Sequence, residues 1–147
     1  MTMGQVHAEI EIINSIDLND ARRNIIDQDE VKRMYITALV DTGANLLCIN
    51  ENIQAILNLP YVKKQRQQMA NGEIINCDVV GPVEIRFADT VSCCNAVILP
   101  GNSEPLLGVI PMEDMDVSIH PARQELVVNT RLPIVGFRPM RGKLIYI

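Results

Sequence analysis

Val6, Ala8, Ile10 and Ile12 alternate with His7, Glu9 and Glu11, which predicts a half-buried strand with a polar outer face. From Ser15 to Glu30 the pattern turns polar, with Asp17, Asn19, Asp20, Arg22, Arg23, Asp27, Asp29 and Glu30. This stretch reads as a long connection with a short helical turn near Ala21 to Ile26. It is either a solvated loop or part of a partner-binding surface. Val31 to Val40 predicts a second strand. Within it, Tyr35 to Val40 carries apolar or small residues on both alternation parities, the pattern of a strand buried on both faces. Leu46 to Ile49 predicts a short apolar strand, and Asn50 then has the chemistry of a helix cap. Ile53, Ile56 and Leu57 give that helix one apolar face, and Pro60 marks its end.

Lys63 to Gln68 is strongly polar and leads into Met69-Ala70-Asn71-Gly72-Glu73-Ile74. Asn-Gly between strand-like flanks is a strong short-range hairpin signal. Gly81-Pro82 interrupts the next run. Val83, Ile85 and Phe87 then alternate with Glu84 and Arg86, and Val91 to Leu99 supplies a further strand. After the Pro100 to Ser103 loop comes Leu106-Leu107-Gly108. Pro111 fits the first turn of a short helix, with Glu113 and Asp114 near its positive end. Val117 to Ile119 and Glu125 to Val128 flank a turn and predict a hairpin. The tail from Thr130 to Ile147 contains Pro133, Gly136, Pro139 and Gly142 and ends in Leu144-Ile145-Tyr146-Ile147.

One break in this pattern carries chemistry. The apolar run Ala38-Leu39-Val40 ends abruptly in Asp41-Thr42-Gly43-Ala44. A lone ionised carboxylate at the end of a buried strand is costly. Thr42 places a short donor and acceptor beside it, and Gly43 lets another backbone approach. These residue types suit half of a site in which two carboxylates share one proton and activate a water. Only one such segment is present, so the second acid has to come from a second copy across a two-fold axis.

Asp41-Thr42-Gly43-Ala44, a short helix, a glycine-tipped hairpin and then Leu106-Leu107-Gly108 together resemble the retropepsin-like family of aspartic proteases. The resemblance runs from about Val6 to Asn129, and is closer to bacterial single-domain members than to the shorter viral enzymes. It implies a mainly all-β acid-protease fold: a closed β-barrel half with a flap hairpin and one or two short helices. It also implies an aspartic endopeptidase that works as a homodimer on a peptide or protein substrate. In that scheme Asp41, Thr42 and Gly43 are catalytic, and Thr42 hydrogen-bonds across the interface. Ala44, Asn45, Ala70, Asn71, Gly72, Leu107 and Gly108 bind substrate, the hairpin being the flap and Leu107-Gly108 the floor. Two positions depart from viral members, which place an acid after the Asp-Thr-Gly-Ala run and an Arg after the later glycine, the two forming an ion pair. Here those positions are Asn45 and Val109. Losing both together is self-consistent, because losing one would strand a charge.

Size and composition narrow the alternatives. A chain of 147 residues reads as one domain over 1–147, with a core of about 6–129 and an extension at 130–147. That extension either enters an intersubunit sheet or packs on its own domain. Hydrophobic residues are 48% and aromatics only 3%, with no Trp, so Ile, Val, Leu and Met must build the core, a composition that favours strands. A net charge of -5 with no basic cluster argues against nucleic acid or an anionic membrane as partner. The absence of a long apolar stretch or a leader-like start implies a cytoplasmic protein. Cys48, Cys77, Cys93 and Cys94 lack the spacing of a zinc or redox motif and read as buried, reduced thiols. No metal or cofactor is implied. Two other readings remain: a noncatalytic dimerisation or peptide-binding module on the same barrel, and an unrelated β-rich protein in which Asp41 only caps a turn.

Overall fold

Six strands close into a ring around an aliphatic core, and a seventh leaves the ring to overhang it. The computed structural model describes residues 4–129, together with the backbone of 137–140 and 143–146. In chain order these form β1 (His7–Asn14), α1 (Ser15–Arg22), β2 (Arg33–Val40), β3 (Leu47–Asn50), α2 (Glu51–Leu57), β4 (Tyr61–Gln68) and β5 (Ile74–Phe87). Then follow β6 (Thr90–Leu99), β7 (Leu106–Leu107), α3 (Val109–Met115), β8 (Val117–His120), β9 (Glu125–Val128), β10 (Phe137–Met140) and β11 (Lys143–Tyr146). The ring runs β1-β2-β7-β3-β6-β5 and closes through β1–β5 pairing, with β4 attached outside on β5. Strands β8 and β9, and strands β10 and β11, form separate antiparallel pairs.

The alternating residues of β1, with Val6 just before it, do what their pattern predicts. Val6, Ala8, Ile10 and Ile12 are buried, and they join Leu47, Ile49, Leu57, Ile85 and Leu107 in the main core. Burying each of the larger aliphatic side chains is worth about 1.5–3 kcal/mol. A smaller cluster of Ala44, Cys48, Cys77, Val79, Val97 and Leu99 lies under the β4–β5 hairpin. The long strand β5 serves both regions. Residues 74–80 pair with β4, while residues 83–86 pair with β1. A register shift between Val80 and Val83, at Gly81-Pro82, separates the two halves.

Several expectations from the sequence need correction. Strand β2 is buried on both faces only near its end. Tyr35 is 74% exposed and Thr37 is also exposed, because the outer face of the ring is open there. The strand begins at Arg33 rather than Val31, whose side chain instead packs with Ile13, Leu18 and Ala21. The 15–30 connection holds a helix at Ser15–Arg22, earlier than the turn expected at Ala21 to Ile26. Asn14 explains the shift: its Oδ1 accepts from the Ile16 and Asp17 amides, while its Nδ2 donates to the Leu57 carbonyl oxygen at 2.9 Å. With α2 and α3 that makes three α-helices among the described residues rather than one or two.

Asn50 caps α2 as expected, accepting from the Ile53 amide at 2.9 Å. Ile56 does not join the apolar face and is 52% exposed, since Ile53 and Leu57 alone point inward. The helix ends in Asn58 in the left-handed conformation, two residues before Pro60. Helix α3 begins at Val109, so Glu113 and Asp114 fall in its second half rather than near its positive end. Cys93 is exposed, in contrast to buried Cys48 and Cys77. Among the described residues, no helix is long and apolar enough to cross a membrane. The expectation for the 130–147 extension falls mostly outside the described residues.

Candidate functional site

Strand β2 delivers Asp41 into a crossing of three chain segments. Leu39 and Val40 pair in parallel with Leu106 and Leu107 of β7, and the far side of β7 pairs antiparallel with β3. The chain therefore leaves β2, turns through residues 41–46 and returns as β3, with β7 threaded between the two. The Asp41 amide donates to the Leu107 carbonyl at 3.0 Å. On the far side of the turn, the Val109 and Ile110 amides donate to the carbonyls of Ala44 and Asn45, each at 2.9 Å. Backbone bonds on both sides thus fix the turn.

Gly108 is what lets these segments cross. A Cβ built there would lie 2.7 Å from the Ala44 carbonyl oxygen, and closer still to that of Leu46. These are backbone atoms of the turn itself, and the Ala44 oxygen already accepts the Val109 amide, so neither can move aside cheaply. Within the turn, the Gly43 amide donates to Asp41 Oδ1 at 2.8 Å, and the Ala44 amide donates to the Asp41 carbonyl at 3.1 Å. The carboxylate is therefore oriented by its own loop. Asp41 is half-buried, Ala44 is buried, and Thr42, Gly43 and Asn45 are exposed.

Above this loop stands the β4–β5 hairpin. Its turn differs in type from a two-residue Asn-Gly turn. The Gly72 amide donates to the Met69 carbonyl at 2.9 Å, the Met69 amide donates to the Glu73 carbonyl at 2.7 Å, and Gly72 alone of the loop has positive φ, +86°. That is a three-residue loop closed by a left-handed glycine. The Asn71 Oδ1 accepts from the Glu73 amide at 2.9 Å, which stiffens the tip.

Between hairpin and turn lies a cleft of about 590 Å³. Asp41, Gly43, Ala44 and Asn45 line its floor, Leu99 and Leu106 one wall, and Gln65 to Ala70 its roof. Of the residues the sequence singles out, Asp41, Gly43, Ala44, Asn45 and Ala70 come together here. Asn71 and Gly72 sit at the hairpin tip, outside the lining. Leu107 is fully buried beneath the floor, and its neighbour Leu106 faces the cleft instead. Gly108 acts one layer down, at the crossing. Thr42 is exposed on the turn. Sequence reading missed the run from Gln65 to Met69, together with Leu99 and Leu106. No sequence signal separates the two glutamines from Arg66 and Gln68, because the expected two-residue turn would pair Cys77 with Arg66 rather than with Gln65.

Among the described residues, no thiol activated by a histidine serves this cleft. The Cys48 thiol is pushed up to about 12, first by burial, then by the nearby Asp41 charge and by Cys77, so it stays protonated. His7 contacts Glu104 at 2.7 Å, and His120 accepts the Arg123 amide, so neither histidine partners a cysteine. The acidic group Asp27, Asp29 and Glu30 is exposed, and the Glu30 carboxylate accepts the Asp27 amide within its own turn. The turn around Asp41 offers a single carboxylate and no second ligand for a metal.

A family model described as aspartyl protease matches residues 25–110. That span contains β2, the Asp41 turn, the hairpin and the Gly108 crossing. No curated protein matches the chain.

Proposed function

The chain belongs to the aspartyl protease family, within the retropepsin-like clan, and on that premise we propose that it is an endopeptidase whose water is activated by two Asp41 carboxylates in a homodimer. Family membership supports aspartic peptidase activity in general. The observation that carries the finer reading is the placement of Asp41: a single carboxylate, oriented by the Gly43 amide, on the floor of a hairpin-roofed cleft and flanked by exposed Thr42 and Gly43. One such acid cannot act as base and acid at once. An exposed loop leaves room for its twin.

In the dimer, like charges about 3 Å apart cannot both ionise, so the pair holds one proton. The ionised carboxylate takes a proton from the bound water as that water attacks the peptide carbonyl. The protonated carboxylate donates to the developing oxyanion, and no covalent intermediate forms. Strand β4 is the terminal strand of its sheet, and residues 65–68 line the cleft consecutively, as happens when a strand's edge borders it. An extended peptide adds to such an edge through backbone hydrogen bonds. The hairpin then excludes bulk water. The same reading includes a cytoplasmic setting.

A second reading has one specific observation behind it. The Asn45 carbonyl accepts the Ile110 amide and the Val109 amide donates to Ala44, so backbone bonds alone hold the base of the turn, with no ion pair between residues 45 and 109, which favours a weaker dimer and a noncatalytic peptide-binding module. The two readings part in a direct assay. The purified chain, incubated with a peptide mixture, is expected to cleave internal bonds with a bell-shaped pH dependence belonging to the coupled pair, and to be blocked by a statine-type inhibitor. Absence of cleavage across mildly acidic to neutral pH would reject the catalytic reading.

A further inference from the structure

We infer that the cleft selects peptides carrying an uncharged primary-amide side chain, Asn or Gln, and that Gln65 and Gln67 are the specificity-determining residues. The inference rests on the endopeptidase reading for its substrate class, and its argument starts from strand parity. Gln65 pairs with Cys77 and Gln67 with Ile75 across the β4–β5 hairpin. Directly opposed residues share a face of the sheet. Cys77 and Ile75 belong to the apolar cluster under the hairpin, so both glutamines turn inward over the cleft. The alternate row is exposed: Lys64 stands 2.8 Å from the Asp78 carboxylate, and Arg66 and Gln68 meet the cleft only along the strand's edge.

Both inward glutamines are half-buried, yet neither side-chain amide has a hydrogen-bond partner among the described residues. Across the cleft, the exposed Asn45 side chain is in the same condition. Each primary amide offers two donors and an acceptor. While the cleft is open, water satisfies them. When an extended peptide fills it, that water leaves, and every amide without a new partner is left with a desolvation penalty. An apolar side chain placed there leaves the amides unpaired. A carboxylate offers acceptors only and leaves the carbonyl oxygens of the amides unpaired. A primary amide supplies donor and acceptor together, so it matches the glutamines without a net charge. Leu99 and Leu106 on the wall accept the apolar side chains that neighbour it in an extended strand.

The test separates this inference from the catalytic reading by measuring binding alone. Asp41→Asn protein is titrated with matched fluorescent octapeptides that differ at one central position, scanned along the peptide, Gln against Leu. At one position the Gln peptide is expected to bind about tenfold tighter. That ratio should fall to about one in Gln65→Leu/Gln67→Leu protein carrying the same Asp41 change. Equal binding of the two peptides at every position, tighter binding of the Leu peptide, no binding of either, or a ratio unmoved by the glutamine substitutions would each overturn the inference. Hydrolysis by the wild-type chain is scored separately and tests the catalytic reading by itself.

Discussion

Asp41→Asn is expected to lower peptide hydrolysis by at least about 10³-fold while leaving the fold and the association of the chain unchanged. The asparagine is isosteric, and its Oδ1 still accepts the Gly43 amide, so the turn that carries it keeps its shape. What disappears is the group that takes a proton from water and returns it. In a homodimer one substitution removes both members of the pair, so no partial activity survives through the partner. The measurement is turnover of any cleaved peptide, alongside sedimentation and a thermal melt of the variant. Turnover within tenfold of wild type would mean that Asp41 is a turn cap and the chemistry lies elsewhere.

Gly108→Ala is expected to be the most destabilising single methyl addition in the described chain, at about 4 kcal/mol. The added Cβ runs into the carbonyl oxygens of Ala44 and Leu46 and the carbonyl carbon of Asn45, three consecutive backbone groups. Relief requires parting β7 from the 44–46 segment, which breaks the Val109 and Ile110 bonds that hold the Asp41 turn. Gly72→Ala is the control. Its added Cβ meets nothing within 4 Å, and its φ of +86° imposes only a left-handed penalty of about 1–2 kcal/mol. Urea midpoints of the two variants compare them directly. Equal losses would show that the crossing at Gly108 is looser than described.

How far the sequence could be read depended on whether a local pattern or a distant partner decided each element. Strand β1 was legible because alternation at Val6, Ala8, Ile10 and Ile12 reports burial directly. The Asn50 cap was legible because capping is local chemistry. Helix α1 was misplaced because its start depends on Asn14, whose side chain also reaches the end of α2, far away in sequence. Tyr35 looked buried from its residue type, but the strand ring leaves that face to solvent. At the site, Asp41 stood out by residue type and position, and Gly108 only through the family resemblance. The inward turn of Gln65 and Gln67 did not, since a run of polar residues conceals which parity meets the cleft until its pairing with β5 is known.

The claim that everything else rests on is that each active unit draws one Asp41 from each of two chains. It is tested by holding wild-type chain at fixed concentration and adding Asp41→Asn chain under conditions that let subunits exchange. Peptide hydrolysis should fall steadily and approach zero as the variant goes into excess, because wild-type chains are drawn into mixed dimers with one carboxylate. A rate that stays constant throughout the titration would contradict a shared pair.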